Sequence, residues 1–228
     1  MPSPPPLQES STSSWTATLD RAVDDCLEDL VAVRRYLHVH PEPSGHEERT
    51  IAYLSERLVE SGFDPKLASH QRGTTVDSPA GGEGPRVALR ADVDALKIHD
   101  AKSVEYRSQV TGVMHACGHD AHPAIVLGAM RALRAMEESG SLPWPVRWRA
   151  IFQPAEETST GANDMIADGA LEGIDAIFAL HVDPSRELGK IGTRVGPLTS
   201  ITDELNIVIQ GRGGHAARPH ESQDPIAA

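Results

Sequence analysis

From Trp15 onward, apolar residues recur at Leu19, Val23, Leu27, Leu30 and Leu37, the spacing of one helical face. This pattern predicts a first helix that Pro41 and Pro43 end. Ser44 then stands three residues before Glu47, the arrangement of a capping box. It opens a second predicted helix with Ile51, Leu54 and Leu58 inward and Gly62 as its stop. GGEG at 81–84 reads as a turn, and the short apolar run Val87-Ala88-Leu89 reads as a strand leading into Asp92. A long helical pattern follows His119 through Ile125, Ala129, Leu133 and Met136. Val146 to Phe152 is the next strand, and Ala162 to Ala167 a short helix stopped by Gly169. Ile174 to Leu180 is a continuous apolar run, as expected of a strand buried on both faces. Strands alternating with helices predict an α/β sheet.

The pattern changes near Gly196-Pro197. Beyond it, Leu205, Ile207 and Ile209 alternate with Asn206, Val208 and Gln210, the signature of a half-buried strand in a different kind of sheet. GRGGHAARPH follows, and a helix is expected to begin near the last residues. Residues 1–14 are rich in Pro and Ser and read as a disordered tail. The expected organisation is therefore a tail at 1–14, a first domain at 15–197 and the start of a second at 198–228.

Composition narrows the function. At 39% hydrophobic and 24% charged residues, the 228-residue chain can bury a sizeable core. Lys and Arg total 21 against 33 Asp and Glu, a net charge of −12 that argues against nucleic acid or any polyphosphate partner. No apolar run reaches the roughly eighteen residues of a membrane helix, and the first residues lack the basic start of a secretory signal. A soluble, cytoplasmic protein is the expectation. Two cysteines make no disulfide framework. Cys26 lies in a helical pattern as a small core residue, whereas Cys117 sits among several of the 11 histidines.

Four groups can carry chemistry: Cys117 and His119 in MHACGHDAH, Glu156 and Glu157 in FQPAEE, His181 in ALHVDP, and Asp92 with Asp94 in LRADVDAL. Thiolate, imidazole and carboxylate are the ligands of zinc and its neighbours. Asp92, the Glu pair and His181 each follow a predicted strand, and Cys117-x-His119 precedes a helix. Ligands of an open α/β sheet bind at those carboxyl ends. In an irregular segment one glutamate can hold a metal while its neighbour serves the attacking water as general base. Taken singly, each group has a plainer explanation: a hydrogen-bonded core histidine, a solvated Glu pair, a small Cys in a turn. Their convergence on one edge favours a site. His38, His40, His46, His70, His99 and His220 keep the structural reading, while His115 and His122 are candidates for orienting ligands.

RRYLHVHPEPSGHEERT, ALRADVDAL, GVMHACGHDAH, IFQPAEE, GAxxMIADGALEGIDAIFALHV and GRGGHAARPHxxxDPI, in this order, closely resemble the metal-dependent amidohydrolases. That family includes hippurate hydrolase, the indoleacetyl-amino-acid hydrolases, N-acetyl-diaminopimelate deacetylase and bacterial aminoacylases, relatives of carboxypeptidase G. The resemblance runs from Trp15 to Ala228. It implies a catalytic α/β domain with a mixed, largely parallel sheet and helices on both faces, interrupted by a smaller α/β lid that also forms a homodimer. It further implies hydrolysis of small N-acyl-amino acids with two divalent metal ions (zinc or manganese, with cobalt or nickel as alternatives), and no membrane or nucleic-acid partner. By motif match, Cys117 would lie between the metals, His119, Glu157 and His181 would complete most of the shell, and Glu156 would be the base. Asp92 would orient a ligand histidine, and His215 would reach the substrate carbonyl. Arg90 stands where distant relatives have a ligand histidine, Lys97 replaces a usual Pro, and Ala179 a usual Gly. The family's last ligand histidine comes from a segment after the lid that this sequence does not contain. The alternatives are a dipeptidase or carboxypeptidase of the same metal chemistry, a hydrolase with Cys117 as nucleophile, and a non-catalytic truncated fragment.

Overall fold

The first helix, α1 (Thr12–Val39), exists as predicted but turns a different face inward. In the computed structural model, which describes residues 12–79, 84–198 and 205–227, Val33 and Leu37 are buried and Leu30 packs beside them, while Val23 and Leu27 are exposed. The buried stripe is Cys26, Leu30, Val33 and Leu37, at alternating steps of four and three. Cys26 is thus a small core residue. Helix α2 (Glu48–Glu60) buries Ile51, Leu54 and Leu58, and Gly62 closes it at a φ of +76° that favours glycine.

The predicted capping box does not form. Ser44 donates its hydroxyl to Asp94 instead, at 2.7 Å, and Glu47 accepts the backbone N–H groups of Gly45 and Ala155. The α2 amino end is served by Glu42, whose Oε2 accepts both the N–H and the hydroxyl of Thr50, at 2.7 and 2.9 Å. The box fails because its two side chains have buried polar partners elsewhere in the fold.

Five strands form one sheet in the order β1-β2-β4-β3-β5: β1 (Lys66–Leu67), β2 (Thr74–Asp77), β3 (Arg86–Asp92), β4 (Arg147–Gln153) and β5 (Ala176–Ala179). β3 runs parallel to both β4 and β5, and β1 and β2 add an antiparallel flank. β1 and β2 lie in a stretch where the apolar pattern predicted nothing. The turn expected at 81–84 falls mostly outside the described residues. Alternation along the strands separates two cores. Val87, Leu89 and Ala91 of β3 and Trp148, Ala150 and Phe152 of β4 face α1, α2 and α3 (Ala121–Glu138). Ala88 and Ile151 face the other way, toward Met165 of α4 (Gly161–Ala167). Helices therefore cover both faces of a mixed sheet. Helix α3 lies between α1 and the sheet, so it is buried on more sides than the predicted stripe allowed, and Ile125 is its exposed apolar position.

β5 departs from expectation. It forms, but among the described residues it is the sheet edge and pairs only with β3, with Ile177 and Phe178 52% and 60% exposed. An apolar run identifies a strand; it does not supply the layers that cover it.

Beyond Asp183 the chain forms a second unit, 184–228. Its described residues carry a 3₁₀ turn (Pro219–Glu221) and an isolated Arg212–Gln223 bridge. The strand expected around Leu205, Ile207 and Ile209 is exposed chain without strand pairing, and no α-helix begins among the last described residues. Alternation stabilises a strand only when a partner strand and a covering layer are present, and the described part of this unit provides neither. The expected tail at 1–14 lies largely outside the described residues. Among those residues, no helix is long and apolar enough to cross a membrane.

Asp77 ties three strands together. It receives Arg149 of β4 at 2.6 Å and pairs with Arg86 of β3. Burial alone would raise its pKa, but the Arg149 hydrogen bonds and the two guanidinium charges hold it at about 2. A depressed carboxylate contributes stability above its unfolded pKa, and that contribution is lost as pH falls through the folded value. Asp77→Asn should therefore cost about 2 kcal/mol near neutral pH, with the difference shrinking between about pH 4 and 2. Urea melts of both proteins across that range check it; a pH-independent difference would contradict it.

Candidate metal centre

Because β3, β4 and β5 are parallel, their carboxyl ends open at one sheet edge. β3 ends on Asp92 and continues to Asp94, β4 leads through Pro154 and Ala155 into Glu156 and Glu157, and His181 follows β5. The Cys117–Asp120 turn enters α3 beside them. The sequence-selected residues Asp92, Cys117, His119, Glu156, Glu157 and His181 are thus brought together.

His119 is at the centre and is 1% exposed. Its Nδ1 lies 3.1 Å from both the Oδ1 and the backbone oxygen of Asp94. Two acceptors there fix the proton on Nδ1 and leave the Nε2 lone pair aimed into the site. That Nε2 is buried without a hydrogen-bond partner, and so is Glu157 Oε1, 3.9 Å away. Burial opposes a charge on His119, but the hydrogen-bonded Asp94 and the Asp92 charge outweigh it and raise its pKa. Asp94 is held at about 2: burial would raise it, and hydrogen bonds from His119, Ser44 and the Glu157 N–H pull it down.

Cys117 Sγ lies 3.8 Å from His181 Nε2. Burial, and then the adjacent Glu157 carboxylate, push the Cys117 thiol up to about 12. A nucleophilic cysteine is activated by the opposite shift. Gly118 sits between the two ligand candidates at a φ of +88°, and a Cβ there would come within 2.1 Å of Val182 Cγ2.

Asp92 is hydrogen-bonded to a histidine, His122. Its Oδ1 accepts from His122 Nδ1 at 2.5 Å and stands 3.7 Å from His119 Nε2, while Arg90 donates to its Oδ2 at 2.7 Å. His122 Nε2 in turn accepts the Val182 N–H, at 3.1 Å, and so anchors the chain next to His181. Asp94 is the carboxylate bonded to His119. A layer behind this comes from α1. His38 Nδ1 and Arg34 Nε contact Asp120 Oδ2 at 2.8 and 3.0 Å, pinning the residue that follows His119. His115 is buried, and that burial lowers its pKa to about 4. His215 belongs to the second unit, where its Nδ1 accepts the Ala217 N–H within a turn.

Among the described residues, potential ligand atoms converge to within 4.8 Å in three sets: Cys117, His119 and His181; Asp92, His119 and His122; and His119, Glu156 and Glu157. Two facing buried donors without partners, a thiol, and more carboxylates than cations suit a divalent ion. The residues present fit such a group.

A sequence profile of peptidase family M20/M25/M40 matches residues 88–227, more than half of the chain. The chain belongs to that family. It is 40% identical over 220 residues to an N-acetyl-L-cysteine deacetylase of Bacillus subtilis, covering 96% of this chain and 50% of that protein. It is 38% identical to an N-acyl-L-amino acid amidohydrolase of Geobacillus stearothermophilus, covering 92% of this chain and 56% of that one. The crystal structure of Bacillus subtilis YXEP, described as a dinuclear metal binding peptidase from the M20 family, superposes with a TM-score of 0.68 at 34% identity, over 80% of this chain and 48% of that one. The chain spans about half the length of the curated relatives it matches.

Sequence reasoning read Ser44 and Glu47 only as a capping box and named Asp94 beside Asp92 without a role of its own. The signal was available in Asp94: two carboxylates two residues apart after an apolar strand share one side of the chain, and a buried carboxylate needs paired donors. In this M20 site Cys117→Ser should weaken ion binding while leaving the fold intact, since a hydroxyl is a far poorer ligand than a thiolate at neutral pH. Equilibrium dialysis against zinc, with circular dichroism alongside, tests it; unchanged stoichiometry and affinity would remove Cys117 from the ligand set.

Proposed function

We propose that the protein is a metal-dependent amidohydrolase that cleaves the amide joining an acyl group to an amino acid. The observation that carries this reading is the pair of buried, partnerless donors, His119 Nε2 and Glu157 Oε1, facing each other at the carboxyl edge of an M20 sheet. Cys117, His119, Glu157 and His181 would hold two divalent ions, with zinc favoured by the thiolate. Bound ions supply Lewis acidity, a polarised scissile carbonyl and water acidified toward neutral pH.

The chain's own groups do the rest. Glu156, in the turn after β4, takes the proton of the attacking water and returns it to the leaving amine. Asp94 keeps His119 in one tautomer and, through the Glu157 N–H, fixes the ligand glutamate. Residues 15–197 would be the first part of the catalytic domain and 198–228 the start of a lid that also forms a homodimer, with His215 donating to the substrate carbonyl as negative charge develops. The protein would work in the cytoplasm.

The test uses the protein expressed from its full reading frame, loaded with zinc or manganese. It is assayed on acetyl-, benzoyl- and indoleacetyl-amino acids and on dipeptides, with and without chelator. Turnover of N-acyl-amino acids that chelator abolishes and metal restores is the expected result. Turnover of dipeptides alone would move the substrate class, and activity indifferent to chelator would remove the metal reading.

A further inference from the structure

We propose that Glu47 is a positioning residue for Glu156, holding the turn that carries it through the backbone N–H of Ala155. The inference rests on Glu156 being the base, as argued above. Glu47 is 0% exposed, a rare place for a carboxylate, and α2 does not need it as a cap because Glu42 already serves that end. Its Oε1 accepts the Ala155 N–H at 2.8 Å and the Gly45 N–H at 2.9 Å.

Ala155 has a φ of +48°, an unusual conformation for a residue with a Cβ, so something must hold it. The surroundings do so from both ends of the residue. Its N–H is taken by Glu47, and its carbonyl oxygen accepts the N–H groups of Thr160 and Gly161, at 3.3 and 3.2 Å. One residue beyond Glu156, the Glu157 N–H donates to Asp94 Oδ2 at 3.0 Å. Glu156 is therefore flanked by two peptide N–H groups, each anchored to a buried carboxylate. Both carboxylates are fixed by the loop before α2, where Gly45 donates to Glu47 and Ser44 to Asp94. The Asp94 anchor controls the ligand glutamate. The Glu47 anchor controls the backbone that enters Glu156, and with it the direction in which that side chain leaves the turn.

The division of labour sets what a Glu47 variant should do. A general base must sit within hydrogen-bond reach of the proton it takes, and a displacement of about 1 Å can cost on the order of 10²-fold. Ion binding depends on Glu157 and its separate Asp94 anchor. In the full-reading-frame protein, Glu47→Ala should lower kcat about 10–100-fold with KM and bound zinc unchanged. Amide exchange of the 153–158 segment should become faster. Glu47→Gln keeps an oxygen acceptor at the same reach and should restore kcat to within about fivefold of wild type and restore protection. Glu47→Asp keeps the charge but falls one methylene short, so it should behave like Glu47→Ala, and it remains informative if the alanine variant does not fold.

The opposite order, with Asp active and Gln inactive, would show that charge rather than the Ala155 hydrogen bond matters and would overturn the proposal. So would loss of activity in step with loss of zinc, or wild-type kcat in Glu47→Ala. Glu156→Gln made alongside separates the two readings. If it is inactive while Glu47→Ala is unimpaired, the positioning role alone falls. If Glu156→Gln is itself fully active, the base assignment falls and this proposal with it.

Discussion

Glu156→Gln is expected to lower kcat by about 10²–10⁴-fold, the usual contribution of a positioned acid/base, and to leave bound metal nearly unchanged. The two glutamates are neighbours, yet their surroundings differ. The Glu157 N–H is fixed by Asp94, and its Oε1 is buried opposite His119 Nε2 with no other partner. Its pKa is raised by burial and then, against the His119 charge, by Glu156, which is the situation of a carboxylate awaiting a cation. Glu156 is half-buried in the same turn and converges on His119 and Glu157, but it lacks the Asp94 anchor that fixes the Glu157 N–H. Gln preserves its size and removes only its ability to take a proton. Metal analysis and single-turnover kinetics on an N-acetyl-amino acid read the two effects separately. If Glu156→Gln lost metal and Glu157→Gln kept it, the roles would be exchanged.

What the sequence made legible follows from what each signal encodes. The α2 stripe, β3, β4 and the short α4 were readable because local periodicity and a glycine stop decide them. The edge on which the site lies was readable too, since parallel strands put their carboxyl ends together. Errors fell where a feature depends on distant partners. Helix α1 has apolar residues on more than one side, and only its packing against α3 selects the face with Val33 and Leu37. β5 has the composition of a covered strand, but coverage is a property of neighbours, and here it is an edge.

The site shows the same division. Residue types pointed to Cys117, His119, the Glu156–Glu157 pair and His181, because few side chains bind metals, and the family resemblance divided the two glutamates into ligand and base. The supporting carboxylates could not be sorted from composition. Asp92 and Asp94 look equivalent in DVD, yet one is bonded to His122 and the other to His119, Ser44 and the Glu157 N–H. Glu47 read as a capping residue because its local context fits a helix start, and its actual partner, Ala155, is 108 positions away.

The largest loss of metal binding should come from His119→Ala rather than from any other single ligand change. His119 is the one residue common to all three sets of converging ligand atoms, whereas Cys117, His181, Glu156 and Glu157 each enter one. The three sets share the single His119 Nε2 lone pair, which can serve one ion, and truncating the ring removes that buried donor together with its arrangement facing Glu157 Oε1. Asp94→Asn gives the intermediate case. It keeps the ring but weakens the acceptor that fixes the Nδ1 proton, and loss of such an orienting partner typically costs about 10–100-fold in affinity. The expected order of zinc affinity is therefore wild type, then Asp94→Asn, then His119→Ala, with Cys117→Ser also above His119→Ala. His119 is buried, so its truncation leaves a cavity, and thermal melts without metal must show that the variant still folds. Competition with a chromophoric chelator gives the affinities, and the cobalt-substituted proteins report ligand loss in their visible spectra independently of activity. A folded His119→Ala protein that bound two ions as tightly as wild type would overturn its place at the centre of the site, and a Cys117→Ser protein weaker than His119→Ala would shift that centre to the thiolate.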